Sequence, residues 1–194
     1  VLGRGTNIEG QNVVIGGAGQ ASLAATIGGT YNFTHCTFAN FWNESLRTLP
    51  AVLVNNFFEY TDATGQDIIE VRDLHAANFT NCIFDGNNSI EFVLDNVNGG
   101  GLFNYNIRNA MIKFTDPNAS FKDNIELDFT NSFYQNIILN GNPSFRNTQN
   151  NDFIIGENSD AINNAVRTLF FTDILEIDRS TNPDIGAYQH ITFE

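Results

Sequence analysis

The residues best suited to chemistry lie in the stretch DIIEVRDLHAANF at 67–79, which contains Arg72 and His75. An arginine can take the proton beside the carboxylate of a uronate sugar, as a polysaccharide lyase requires, when calcium or a second cation neutralises that carboxylate. Residues two apart share one face of a strand, so Glu70 lies on the same face as Arg72. The stretch therefore offers Arg72 and His75 as candidate catalytic residues. An exposed ion pair on a strand is the simpler interpretation.

A second candidate site lies in FANFWNESLRTLP at 38–50. Its candidate binding residues are Phe41, Trp42, Glu44 and Arg47, and Trp42 is the only tryptophan of the chain. A tryptophan beside an arginine and a glutamate is typical of a surface that stacks on a sugar or docks a protein. The structural alternative is that Trp42 folds back and covers the strands below it.

The sequence contains no zinc-ligand spacing and no EF-hand loop. It also lacks the aspartate and histidine motifs of polygalacturonase-type hydrolases and the calcium-binding aspartate clusters of pectate lyases. We therefore expect no metal site and no cofactor. Calcium enters only through the lyase hypothesis.

A six-residue pattern that returns six times must position these residues. Its copies are GQNVVI at 10–15, FTHCTF at 33–38, LVNNFF at 53–58, FTNCIF at 79–84, IRNAMI at 107–112 and FTNSFY at 129–134. The third position of each copy is Asn12, His35, Asn55, Asn81, Asn109 or Asn131, at steps of 23, 20, 26, 28 and 22 residues. A repeat of this length, rich in Phe, Val, Ile and Thr, predicts an all-β solenoid of stacked parallel strands.

The columns of the repeat have physical reasons. A large apolar residue in the sixth position, such as Phe38 or Phe84, can stack on its equivalents inside the solenoid. Asparagine in the third position tolerates left-handed backbone and can hydrogen-bond the asparagine of the next strand. We therefore predict an asparagine ladder, with His35 as a structural member of it rather than a catalyst.

The two cysteines, Cys36 and Cys82, share the fourth column with Asn56 between them. Two strand spacings are about 9.6 Å, beyond the roughly 7 Å Cα separation that a disulfide allows. The pattern therefore predicts buried thiols without a bridge.

Composition limits the partners. The 194 residues suffice for one domain with a sizeable core, and a net charge of −13 argues against nucleic acid or an anionic membrane surface as a ligand. Low charge, abundant asparagine and 18 phenylalanines favour an extracellular protein. The sequence opens inside the repeat pattern, so we expect leading coils, and an N-terminal membrane anchor, outside the given chain.

The carboxyl-terminal residues carry a more specific pattern. From about residue 141 the chain has Pro143 with Phe145, then Asp152 with Phe153, then Ser159, Ala161, Ile162 and Asn163, then Thr172, Asp173 and Arg179, and finally Pro-Asp-Ile-Gly-Ala-Tyr at 183–188. These residues resemble the carboxyl-terminal segment of the right-handed parallel β-helix repeat proteins of Bacteroidota, a pectate-lyase-like solenoid family. The chain departs from that segment at Asp160 for proline, Ala165 and Glu176 for glycine, and Gln189 for glutamate.

The resemblance implies a right-handed parallel β-helix with coils over 1–140, and a last coil and cap over 141–194. Asp184, Gly186 and Tyr188 would form the cap. It also implies an exported protein, secreted or a lipoprotein, at the outer-membrane surface of a Gram-negative bacterium. The family hosts many activities, so function stays open among three hypotheses. The first is a binding scaffold for a glycan or a surface protein. The others are a polysaccharide lyase or glycoside hydrolase, and a rigid segment of a larger assembly.

Overall fold

The structure, a computed structural model, describes residues 1–97 and 100–193 and confirms the all-β prediction. The strands are β1 (Leu2–Gln11), β2 (Val14–Gly16), β3 (Leu23–Thr34), β4 (Thr37–Asn40), β5 (Val52–Asn55), β6 (Phe57–Thr61), β7 (Asp67–Val71), β8 (Leu74–Thr80), β9 (Ile83–Gly86), β10 (Phe92–Asp95), β11 (Phe103–Ile112), β12 (Tyr134–Leu139), β13 (Phe145–Asn147) and β14 (Asp152–Ile155). Two 3₁₀ turns, Ile125–Leu127 and Thr148–Asn150, complete the regular elements of these residues.

Ten strands form one sheet in which neighbouring strands are parallel. The other strands form two antiparallel hairpins outside it, β6 with β7 and β13 with β14. A parallel neighbour needs a long connection, because the chain must return to the same end of the sheet before each new strand. The loops at 41–51 and 113–133 are such connections.

Sharp bends divide the ten-stranded sheet into strips. Before the bends, β1, β3, β8, β11 and β12 pair in that order, and we call their outward surface the open strip. After the bends, β2, β4, β9 and the ends of β11 and β12 pair, and we call their outward surface the covered strip. The beginnings of β1 and β3 form a third strip with β5 and β10.

The bend residues confirm the predicted left-handed backbone at four positions of the ladder. Asn12, His35, Asn81 and Asn109 have left-handed backbone, with φ of 50, 52, 57 and 49°. Asparagine and histidine enter this region more readily than bulkier side chains, which explains the residue types. The Asn81 amide nitrogen lies 2.9 Å from His35 Nε2, so these two neighbouring members of the ladder are hydrogen-bonded.

The prediction was wrong for Asn55. Leu53 pairs with Ala24 and with Val93, which places the first half of this copy, 53–55, in the third strip. Asn55 instead accepts a hydrogen bond from the Ile27 backbone at 3.0 Å, and the chain then leaves the sheet as the β6–β7 hairpin. The pattern could not distinguish the strips, because strand residues followed by asparagine occur in both.

The prediction was also wrong for Asn131. Met111 pairs with Ile138, so Asn136, with φ 53°, occupies the fifth bend. Asn131 instead precedes β12, accepting a hydrogen bond from the Phe133 backbone and donating one to the Tyr105 hydroxyl. The sequence did not distinguish the two, because Asn131 lies five residues before Asn136 and has similar apolar neighbours.

Aromatic side chains stack across neighbouring strands inside the bends. Phe38 and Phe84 stack with ring centroids 5.5 Å apart, and Phe33 and Phe79 stack at 5.4 Å. All four are buried, and each contributes about 1.5–3 kcal/mol through burial. The predicted apolar column is confirmed for the copies whose register the sequence placed correctly.

The predicted separation of the cysteines was wrong. Thr34 pairs with Thr80 and Thr37 pairs with Ile83, so Cys36 and Cys82 lie on neighbouring strands. The error follows from the placement of 53–58, which does not lie between them. Both cysteines are free thiols and buried, as predicted.

The residues after 141 do not add a parallel strand to the sheet within the described range. β13 and β14 pair with each other, and the following chain packs on the covered strip. Ile155, Ala161 and Ile185 form a second apolar cluster with Ile83 and Met111 of that strip. The segment that the resemblance assigns to a cap therefore lies along the side of the sheet.

Candidate functional site

The expected binding residue Arg47 lies in the interior. Its guanidinium donates to both carboxylate oxygens of Glu91, at 2.9 and 2.5 Å, and the two side chains are 2 and 0% exposed. Arg47 also donates to the carbonyls of Asn40 and Leu49. A buried pair of this kind positions the loop and offers no charge to a ligand.

The other members of the expected patch separate from one another. Phe41 turns inward and stacks on Phe153 with ring centroids 5.9 Å apart. Trp42 is half-buried, and its indole nitrogen donates to Ser45 Oγ at 2.9 Å. Glu44 is exposed. Phe41 and Arg47 thus point inward while Glu44 stays exposed, and the four residues do not form one binding surface.

Arg72 and His75 do line one depression, together with Asp73. Arg72 nevertheless donates twice to Glu70 Oε1, at 2.9 and 2.6 Å, which confirms an exposed ion pair on the strand. Asp73 accepts a hydrogen bond from the Leu102 backbone at 2.8 Å. Arg72 and Asp73 are thus both held in hydrogen bonds within the chain.

Carboxylates gather at the third strip, a feature that sequence reasoning missed. Partial burial raises the pKa of Asp95, and the nearby charges of Glu59 and Glu126 raise it further. Glu59 belongs to the β6–β7 hairpin and Glu126 to a 3₁₀ turn, so the loops bring the three together. A carboxyl with a raised pKa among other carboxylates is the kind of group that can act as a general acid.

The covered strip is closed by hydrogen bonds from the ladder. Asn81 donates from its amide to the Val166 carbonyl at 2.8 Å and accepts from the Val166 nitrogen at 2.9 Å. Asn109 and Asn12 donate to the carbonyls of Asn164 and Thr172, at 2.7 and 3.0 Å. These hydrogen bonds from the bend residues therefore hold the segment 164–172 along the sheet.

The residues of the carboxyl-terminal motif complete this closure. Asp184, fully buried, accepts from the backbones of Asn163 and His190 and from the His190 ring. Gly186 has φ 104° and approaches so closely that a Cβ there would lie 2.7 Å from Ile83 Cδ1. Gln189 accepts from the Asp184 nitrogen at 2.7 Å. The motif therefore has a structural role. Glutamine at 189, in place of a glutamate, keeps a further negative charge out of the buried cluster.

His35 also serves the closure. Burial lowers its pKa to about 3, and the charge of Arg179 lowers it as well, against the opposing effect of backbone carbonyls at 184 and 186. The ring is therefore neutral near pH 7, with Nε2 accepting from Asn81. A buried neutral histidine in a hydrogen-bonded ladder is a structural member, as the sequence indicates.

The open strip presents columns of mostly uncharged polar side chains to solvent. Register places Glu9, Asn32, Asn78 and Asn106 in one column and Gln11, Thr34, Thr80, Arg108 and Gln135 in the next. All nine are exposed or half-buried. Asn78 donates to Asn32 at 2.8 Å within the surface, which holds the two amides in register.

Aromatic rings adjoin this surface at both ends. Phe170 lines a recess of about 280 Å³ with Glu9, Gln11, Asn32 and Thr34. Phe133, 52% exposed, precedes β12 and lies with its ring centroid 5.0 Å from that of Tyr105. Amides and hydroxyls on neighbouring strands lie about 4.8 Å apart, and they can donate hydrogen bonds to a hydroxyl-rich ligand and accept hydrogen bonds from it. The adjacent aromatic rings can stack on the same ligand.

The open strip is a further site that the repeat pattern did not identify. Its residues lie just before the six-residue pattern or at its second position, in TYNFT at 30–34, AANFT at 76–80 and NYNIR at 104–108. Each stretch alternates polar and apolar residues, and that alternation is the signal that could have revealed it.

Comparison with protein families, curated proteins and solved structures finds no match to this chain. Among residues 1–97 and 100–193, no group of three or more His, Cys, Asp or Glu side chains could hold a metal ion. The same ranges contain no helix long and apolar enough to cross a membrane.

Proposed function

We propose that the protein is a right-handed parallel β-helix that acts as a binding scaffold for a neutral glycan. The parallel sheet with bends at recurring asparagines supports the β-helix, and the carboxyl-terminal motif supports membership of the Bacteroidota repeat family. The same resemblance supports export to the cell surface. The observation that carries the proposed function is the open strip, with its columns of exposed amides and hydroxyls.

The ligand chemistry follows from charge. The nine residues of the two columns include one acidic residue, Glu9, and one basic residue, Arg108. A chain with net charge −13 repels polyanions over a wide surface, so an uncharged polysaccharide is the better partner. Its hydroxyls would exchange hydrogen bonds with the amides, and its apolar ring faces would stack on Phe170.

Binding to a panel of neutral and acidic polysaccharides tests this function, with retention in affinity electrophoresis followed by calorimetry. We expect a neutral polysaccharide to bind and the double variant Asn32→Ala/Asn78→Ala to lose at least tenfold in affinity. Asn118→Ala, in an exposed loop, is the matched control and should bind as the wild type does. Lack of binding by every neutral polysaccharide overturns the proposal and favours a protein partner or a rigid structural segment.

A glycoside hydrolase is the second candidate, because the pKa of Asp95 is raised beside Glu59 and Glu126. Release of reducing ends from the same panel, with unsaturated products read by absorbance, tests both enzyme classes. Turnover lost in Asp95→Asn would make the protein a hydrolase. Turnover lost in Arg72→Ala or His75→Ala with unsaturated products would make it a lyase.

A further inference from the structure

The two cysteines are stacked in the core. Cys36 and Cys82 each follow a bend residue on neighbouring parallel strands, between the pairs Thr34–Thr80 and Thr37–Ile83. Neighbouring strands are about 4.8 Å apart, which falls within the Cα separation of roughly 4.4–6.8 Å found in disulfides. The pair therefore meets the first geometric requirement for a bridge.

The two side chains also lie in the same part of the core. Both belong to the main apolar cluster and are fully buried. Each thiol lies 3.4 Å from the carbonyl two residues before it, Cys36 from Thr34 and Cys82 from Thr80. Interaction with Cys82 lowers the pKa of the Cys36 thiol, which agrees with the neighbouring positions that the strand register gives the two side chains.

We propose that Cys36 and Cys82 form an intramolecular disulfide that joins β4 to β9 when the chain folds in an oxidising environment. The bond would link positions 46 residues apart, 82 minus 36, through the middle of the sheet. This inference is independent of the glycan-binding function.

The oxidant is a low-molecular-weight disulfide such as oxidised glutathione. The Cys36 thiolate attacks one sulfur of that disulfide, forming a mixed disulfide and releasing one glutathione thiolate. The Cys82 thiolate then attacks the Cys36 sulfur and releases the second. The protons of the two cysteines pass to the two glutathione thiolates, so one disulfide is reduced as one forms.

The exchange takes place before the fold closes. Arg179 lies close enough to Cys36 to lower the pKa of that thiol, and the Gly186 nitrogen donates to the Asn81 carbonyl at 2.9 Å. The carboxyl-terminal segment thus covers the bend that carries the pair. In the finished fold the buried thiols are out of reach of glutathione, and a formed disulfide is equally protected from reduction.

Refolding from denaturant with oxidised or with reduced glutathione tests the proposal. After oxidised refolding, alkylation and peptide mapping without reductant should find Cys36 joined to Cys82. The midpoint of thermal unfolding should rise by about 10 °C over the protein refolded with reduced glutathione. The reduced sample also shows that the chain refolds.

Cys36→Ala and Cys82→Ala are matched controls, since Ala110 already occupies the same column on β11. Both should fold and show no difference between the two glutathione buffers. The proposal is overturned if the protein refolds with oxidised glutathione to the native circular dichroism spectrum and both wild-type thiols are then alkylated in denaturant without reductant. Cross-links between two chains in place of the internal bond would overturn it as well.

Discussion

The open and covered strips are made by the same passes of the chain on either side of one line of bends, yet their outward side chains differ in kind. The covered strip carries Thr37, Ile83, Met111 and Ile138 in one column, and the carboxyl-terminal segment buries them. The open strip carries asparagine, threonine and glutamine, which stay in contact with solvent. Where a segment of the chain supplies the partner, the column is apolar. Where no segment of the described chain does, the column is polar.

Two asparagines three residues apart express this difference. Asn81, on the bend, is fully buried and shares its amide with Val166 and His35. Asn78, on the open strip, is exposed, and its side chain donates to Asn32. The same residue type therefore serves structure in one strip and is available to a ligand in the other.

The largest expected effect comes from Asn81→Ala. It removes both hydrogen bonds to Val166, leaves the buried His35 Nε2 without its donor and puts alanine in left-handed backbone. We expect a loss of about 4 kcal/mol in the free energy of unfolding, measured by urea denaturation.

Asn78→Ala is the matched control and should change the free energy of unfolding by about 0.5 kcal/mol or less. Equal losses for the two variants would mean that the strips do not differ in their structural role. Asn81→Gly separates the contributions, since glycine relieves the backbone strain while the amide bonds stay lost.

The pH dependence of the free energy of unfolding should include a contribution from His35. Its pKa is about 3 in the folded protein against an ordinary 6.5, so unfolding takes up a proton between these values. The stability that the neutral ring contributes is present above pH 6.5 and is lost as the pH falls towards 3. Between pH 7 and pH 4.5 we expect a loss of about 2–3 kcal/mol from this residue.

His35→Asn, which installs the usual ladder residue, should remove that part of the pH dependence. Carboxylates also titrate in this range, and they are common to the wild type and the variant. Thermal melts at half-unit pH steps provide the comparison. Parallel pH curves for the two proteins would show that the pKa of His35 is the same in the folded and the unfolded protein, which would contradict this prediction.

A smaller gain is expected from Glu176→Gly in the segment that covers the strip. Glu176 has left-handed backbone with φ 66°, at a position where the resembled family has glycine. Glycine should raise the free energy of unfolding by about 0.5–1 kcal/mol. The neighbouring Leu175→Gly should lower it by a similar amount, and chemical denaturation of both variants measures the difference. A gain from Leu175→Gly would contradict the assignment of strain to 176.

The bends and the aromatic stacks could be predicted from the sequence because they recur. Left-handed backbone restricts residue type, and stacked strands repeat the restriction at Asn12, Asn81 and Asn109. Asn55 and Asn131 fit the same local pattern but do not lie at bends. Register is set by long-range strand pairing, which a six-residue pattern does not contain.

The candidate site was less predictable for a related reason. Arg47 looked like a surface charge, because its partner Glu91 lies 44 residues away and the pattern of charges near Arg47 gives no sign of it. Asn32 and Asn78 looked like ordinary strand residues. Their role depends on which surface the carboxyl-terminal segment leaves uncovered, and the packing of that segment becomes visible only in three dimensions.

Hydrogen–deuterium exchange with and without the neutral polysaccharide that binds most tightly tests the central claim most directly. The open strip predicts slower exchange on ligand binding at 30–34, 76–80 and 104–108, with the bend residues and 164–172 unchanged. Protection confined to 38–50 or to the β6–β7 hairpin would contradict the claim and move the site to the loops.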